Sequence, residues 1–187
     1  LTMLNDSLLD FQAAQLAKLW GKYAGEVVDN ADPQRMGRLK VRCPAVLGSE
    51  PVWALPCVPY AGPGVGFYFM PPAGAGVWVE FAAGDPCHPI WTGCFWAQGE
   101  LPAEASSADI KLLATEKASL RIDDSAGEVE VRNASEVSTT WSADIRSEAG
   151  PATHTVGASG VVSEAAPGKV EVGAAGVTIN NGAFKVS

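Results

Sequence analysis

GDPCHPIWTGCFW, residues Gly84 to Trp96, packs two cysteines, a histidine and two tryptophans into one short span. Two readings compete for it. Cys87, His88 and Cys94 could be ligands of a metal or redox site, or the segment could be a turn followed by a buried strand. Structural zinc sites use three or four ligands, with cysteines usually two to four residues apart. Cys87 and Cys94 are wider apart than that, and no second cluster supplies the missing ligands. The packing reading is therefore the one taken: Gly84, Asp85 and Pro86 make a turn, and Pro89 to Trp96 form a strand with Trp91 and Phe95 on one face. No cofactor and no metal is expected.

Strand-like segments precede this one. YAGEVV and GRLKVRC flank the turn-rich DNADPQRM, which predicts two antiparallel strands around a long polar loop. VWALPCVPY, GFYFMP and GVWVEFAA follow, separated by AGPG and PAGAG. Short strands rich in aromatic and β-branched residues, punctuated by Gly and Pro, indicate a small closed barrel. The helix-free stretch 23–96 fits a five- or six-stranded oligonucleotide-binding (OB) type barrel. Ahead of it, DSLLDFQAAQLAKLW (Asp6–Trp20) places Leu9, Ala13, Leu16 and Trp20 on one stripe, so an N-terminal helical segment is expected within residues 1–22.

Behind it the composition changes near residue 104. Thirteen of the 15 aromatic residues, 11 of the 13 prolines and all four cysteines lie before that point, while each part carries a net charge of −4. After a linker at 97–109, residues 110–187 become a run of very short strands: IKLLA, SLRID, EVEVR, EVSTTW, DIRSE, THTVG, GVVSE, KVEVG, GVTIN and AFKVS. Their inward residues are mainly Val, Ile, Ala and Thr, and apolar burial contributes only ~25 cal/mol per Å². A lone chain of this kind is marginal, and its long edges would be unpaired. Three chains wound around one axis would pair every strand with a neighbour and share one apolar column, so an obligate oligomer is expected.

Other function classes are disfavoured by composition. A net charge of −8 argues against binding nucleic acid through its phosphates. No run of 18 apolar residues is present, and no basic-then-apolar leader opens the sequence. The four cysteines contain no Cys-x-x-Cys pair and sit among apolar residues and prolines, so they are expected to be reduced, small hydrophobes made in a cytoplasm. A Ser or Cys nucleophile needs an adjacent base, and only His88 and His154 could serve, one in each half. AGPGVGFYF precedes a strand and does not open a helix, so it fails the context of a phosphate loop. No enzyme activity is expected.

The order of parts in 23–96 resembles the OB domain of central spike proteins from contractile phage tails, type VI secretion (the valine-glycine repeat spikes) and extracellular contractile injection systems. The resemblance rests on Asp32, Pro33 and Gly37 before the second strand, on PPAGAGVWVEF (Pro71–Phe81), and on Gly-Asp-Pro-x-x-Pro-x-x-x-Gly from Gly84 to Gly93. It implies a fold that is all-β with an N-terminal helix, an OB-type barrel being followed by a trimeric intertwined β-helix needle.

The function it implies is a structural, non-enzymatic central spike that pierces a target envelope after assembly in the cytoplasm into a phage tail, virion or extracellular particle. Its partners would be two further copies in a homotrimer, tail tube or baseplate hub proteins, and a conical PAAR-type tip protein, with no nucleic acid. The tip protein would seat on Asn180, Asn181, Phe184, Lys185, Val186 and Ser187. Some members carry a lysozyme domain between barrel and needle, for which the 13 residues between Trp96 and Ile110 leave no room. Others bind iron through a His-x-His near the needle tip; Thr153-His154-Thr155 has only one histidine. A glycan-binding, adhesin-like module with an OB barrel and β-solenoid stalk is the alternative, and an assembly factor outside the particle is a third.

Overall fold

Alternation closes the first half of the chain into a barrel. In the computed structural model, which describes residues 18–186, the chain divides into two units, residues 1–100 and 101–187. The first holds β1 (Tyr23–Asp29), β2 (Leu39–Arg42), a one-turn helix α1 (Pro44–Leu47), β3 (Val52–Pro56), the two-residue strands β4 (Ala61–Gly62) and β5 (Val65–Gly66), β6 (Gly76–Phe81) and β7 (Pro89–Phe95). Five of these close in the order β1-β2-β3-β7-β6, with β3 and β7 parallel and every other pair antiparallel. That is the five-stranded Greek-key closure of an OB barrel. Every second residue of β6 (Val77, Val79, Phe81) is buried, as are Leu39 and Val41 of β2. With Val27, Ala54 and Trp91 they fill the interior.

The opening stretch divides as a turn and a strand. Gly84 sits at φ +77°, and a Cβ there would approach Lys18 Cβ at 2.9 Å, so both backbone conformation and packing require glycine. The Asp85 carboxylate accepts the Cys87 N–H at 2.9 Å and lies 3.0 Å from His88 Nδ1, holding its pKa below the usual carboxylate range. Trp91 is inside the barrel and its indole N–H donates to Gly37 O at 3.2 Å.

Phe95 corrects the expectation that it shares a face with Trp91. Val79 pairs with Trp91 but Val77 pairs with Cys94, so the β6–β7 ladder shifts across Thr92–Gly93, where Gly93 has φ +141°. The extra residue reverses the alternation. Phe95 therefore turns outward onto Trp78, ring centroids 4.8 Å apart, and covers Gly76, where a Cβ would meet its ring at 2.6 Å.

Three further differences have physical causes. GFYFMP is not a ladder strand: Phe67 to Met70 have no strand partner, and only the Phe67 N–H is tied, to Tyr60 O at 2.8 Å. Of the cysteines only Cys43 is buried; Cys57, Cys87 and Cys94 are exposed free thiols, so the small-hydrophobe reading holds for Cys43 alone. The expected N-terminal helix lies outside the described residues except for Lys18 to Trp20, which are not helical.

The β1–β2 loop is organised by one carboxylate. Asp32, its side chain 4 % exposed, accepts Arg38 Nη2 at 2.7 Å and Nε at 3.1 Å, and the backbone N–H groups of Gln34, Met36 and Arg38. The Arg38 guanidinium, with these N–H donors, holds the Asp32 carboxyl far below the usual carboxylate range. A carboxylate whose folded pKa is depressed adds stability above its unfolded pKa of ~3.9, and that stability is lost as pH falls through the folded value. The barrel, followed by tryptophan fluorescence, is thus expected to lose stability below pH ~4, and Asp32→Asn to be less stable at pH 7 with a flatter fall in acid. An unchanged acid profile in Asp32→Asn would show that the loop is held by something else.

The second unit is a single antiparallel meander of ten strands: β8 (Ile110–Ala114), β9 (Ala118–Asp123), β10 (Glu128–Asn133), β11 (Ser138–Trp141), β12 (Ile145–Ala149), β13 (Ala152–Gly157), β14 (Gly160–Ala165), β15 (Gly168–Gly173), β16 (Gly176–Ile179) and β17 (Phe184–Val186). Each strand pairs with the next in sequence, so the interior strands satisfy both of their ladders within one chain. A partner chain is not needed to supply hydrogen bonds along every strand. What the sheet lacks is a cover.

Candidate functional site: an uncovered sheet face and a charge-free barrel loop

Register assigns each side chain of the tail sheet to one of two faces. Following partners across the ladders, Leu113, Leu120, Val131, Thr139, Ser147, His154, Ser163, Val170, Ile179 and Phe184 form one continuous row. Ile122, Val129, Trp141, Ile145, Val156, Val161, Val172 and Val177 lie beside that row on the same face. The opposite face carries the ions. Arg121–Asp123, Arg132–Glu130 and Arg146–Glu148 pair at 2.6 Å, and Lys169–Glu171 at 3.2 Å, each two residues apart on one strand. Surface pairs of this kind contribute little individually, but together they mark the ionic face.

The apolar face is not buried within the chain. Among the described residues of this unit only Ser138 is buried, and it lies on the ionic face. Trp141, Ile145, Val131, Val172 and Phe184 are each about half exposed. Soluble proteins rarely leave an apolar surface of this extent open to water, and such surfaces mark interaction sites.

A second uncovered surface belongs to the barrel unit. Residues 51–79 contain no Asp, Glu, Lys, Arg or His. Their loop turns through the β4–β5 hairpin and exposes Tyr60, Val65, Phe67, Tyr68 and Phe69, with Tyr68 77 % exposed and the Phe67 and Phe69 rings 5.6 Å apart. Beneath them a cavity of about 430 Å³ reaches Met36, Pro56 and Trp91. Both are exposed apolar surfaces, and what both offer is contact.

The residues expected to carry a tip protein fall at the last turn and strand. Asn180 and Asn181 occupy positive-φ positions in a 3-10 turn, Asn180–Gly182, and Asn180 Oδ1 accepts the Lys169 N–H at 2.9 Å. Asn180 thus has a structural task. Phe184 pairs with Ile179 on the apolar face and is exposed, while Lys185 and Val186 pair through their backbones with Thr178 and Val177. Ser187 lies outside the described residues.

Cys87 and His88 are exposed in the turn and Cys94 is in β7. The described residues contain no group of three or more His, Cys, Asp or Glu that could hold a metal. His154 is in β13, its Nδ1 2.8 Å from Ser163 Oγ. The sequence reading missed the Asp32–Arg38 cradle and the aromatic loop; the charge-free run was the available signal for the loop.

Comparison with curated proteins finds no match to the chain. Residues 23–96 match a protein-family model described as the Type VI secretion system/phage-baseplate injector OB domain. These limits enclose all five barrel strands and stop before the tail sheet. The barrel of this chain is thus similar to the OB domains of type VI secretion and phage-baseplate injectors.

Proposed function

We propose that the chain is a structural central spike of a contractile tail or injection device, working as a homotrimer with no catalytic step. The observation that carries this reading is the tail sheet's two-sidedness. Ten strands ladder in sequence, with both ladders of the eight interior strands satisfied, charged on one side, and apolar and uncovered on the other. Three such sheets closing a prism, apolar faces inward and ionic faces outward, would give each chain the core it lacks. The sheet's own ladders would give each wall of the needle its stiffness, and the shared core would hold the walls together. A cyclic assembly of identical subunits is also the ordinary route to a closed oligomer.

Within this reading the charge-free loop at Tyr60–Phe69 joins the barrel to neighbouring barrels, tail tube or baseplate hub. The needle pierces the target envelope when the sheath contracts. Its final strand, with Asn180, Asn181, Phe184, Lys185, Val186 and Ser187, seats a conical PAAR-type tip protein. Electron microscopy of the native particle tests the placement. Three copies are expected on the tube axis, and peripheral copies would exclude a spike. The tip assignment is tested by co-purifying the full chain with PAAR-repeat proteins encoded beside it; absence of any complex would remove it.

A further inference from the structure

The apolar face of the tail sheet is interrupted at one place. Along its central row, Leu113, Leu120 and Val131 come before, and Val170, Ile179 and Phe184 after. Between them stand four polar residues on four consecutive strands: Thr139, Ser147, His154 and Ser163. They are linked in pairs, Thr139 Oγ1 to Ser147 Oγ at 3.0 Å and His154 Nδ1 to Ser163 Oγ at 2.8 Å. The segment spans three strand spacings of about 4.8 Å each.

This interruption indicates what covers the face. A foreign apolar partner would bury these two hydrogen-bonded pairs while leaving their remaining donors and acceptors unmet, at a cost for each. A level copy of the same chain sets each strand against its own equivalent, so the polar segment meets a polar segment and apolar rows meet apolar rows. Buried polar positions of this kind fix register and oligomeric state in other self-associating folds.

We infer that Thr139, Ser147, His154 and Ser163 form a polar layer inside the assembled needle, and that protonation of His154 loosens the assembly in mild acid. This rests on the homotrimer reading. The surroundings of His154 on its face are uncharged on every packed strand: Ala152 and Val156 on its own strand, Ile145, Ser147 and Ala149 on β12, and Val161, Ser163 and Ala165 on β14. Arg146, Glu148 and Glu164 on those strands point to the other face. Among the described strands the only other titratable side chain on this face is Lys111, five strands away and paired with Asp124 at 2.6 Å.

No carboxylate is therefore available to stabilise an imidazolium. Three copies would bring three such cations into one apolar column. Enclosure among uncharged side chains penalises the charged form of an imidazole, so the assembly is expected to loosen in mild acid.

Sedimentation of the full chain at pH 7.5 and pH 5.0 tests this, with His154→Val and His154→Gln alongside. The wild type is expected to be a trimer at pH 7.5 and to associate at least ~10-fold more weakly at pH 5.0, because each imidazolium enclosed in the apolar column is desolvated without a counter-ion. Both variants should be trimeric at pH 7.5 and change less than ~2-fold between the two pH values. A wild-type trimer equally tight at both pH values overturns the layer's acid response but leaves the trimer standing. Acid weakening that persists in both variants also overturns it, placing the sensitivity elsewhere. A monomer at pH 7.5 removes the homotrimer reading and the layer with it.

Discussion

Val131→Asp is expected to turn an associated chain into soluble monomers at neutral pH. Val131 is in the central row of the apolar face, between Leu120 and Thr139, and is 47 % exposed in the single chain. The monomer therefore tolerates a carboxylate there, because water still reaches it. Inside a closed assembly the same group would be desolvated, with no cation opposite it on β9 or β11. Burying an unpaired ion carries an effective cost of several kcal/mol, and a trimer would incur it three times. Each 1.4 kcal/mol is a factor of ten in association, so loss of the oligomer is the outcome at any working concentration. Glu130→Gln, one residue away on the ionic face, removes the exposed Arg132 pair and should leave the mass unchanged. Sedimentation of the two variants separates a face-specific effect from a general one. If Val131→Asp stays trimeric, the apolar face is not the interface.

That contrast depends on alternation, the property of the tail most legible in its sequence. A period of two assigns faces wherever a strand forms, and the ten expected segments correspond to ten strands. Partner identity is not carried by that period. SLRID and EVEVR could ladder with each other or with segments of another chain, and both arrangements leave the same residues facing inward. The expected winding of chains around one another and the observed sequential meander differ in this respect alone. Short turns of two to four residues, such as Asp124–Gly127 between β9 and β10, let consecutive strands meet first.

In the barrel, face assignments failed where the backbone gained a residue. Gly93 inside the strand is the one sign in TGCF of a bulge at Thr92–Gly93; strict alternation passes over it and puts Phe95 inside, while the ladder puts it outside against Trp78. GFYFMP has strand composition, but strand propensity expresses fit to a half-buried surface. Here Phe67 to Phe69 remain half exposed or more, without a ladder. The candidate surfaces were partly legible for a related reason. An uncharged run can be counted, but whether it folds inward or is left facing water depends on contacts remote in the chain.

The two tryptophans of GDPCHPIWTGCFW should respond very unequally to truncation. Trp91→Ala is expected to destabilise the barrel by ~3–5 kcal/mol, the usual range for emptying a buried tryptophan site. Trp91 is 5 % exposed, packs among the residues that close the barrel, and also holds the Gly37 carbonyl through its indole N–H. Alanine would leave a void next to the cavity under the aromatic loop and an orphaned carbonyl at the entry to β2. A domain with a total stability of ~5–15 kcal/mol loses a large fraction of it by such a change. Trp96, five residues on, is 65 % exposed, so Trp96→Ala should cost less than ~1 kcal/mol. Denaturant midpoints of the full chain, read at the remaining tryptophans, compare the two directly. Equal midpoints would mean that β7 is not the strand that closes the barrel. The tail offers an independent control, because its meander shares no ladder with β7 and its far-UV signal should outlast the barrel transition in Trp91→Ala as long as its apolar face stays covered.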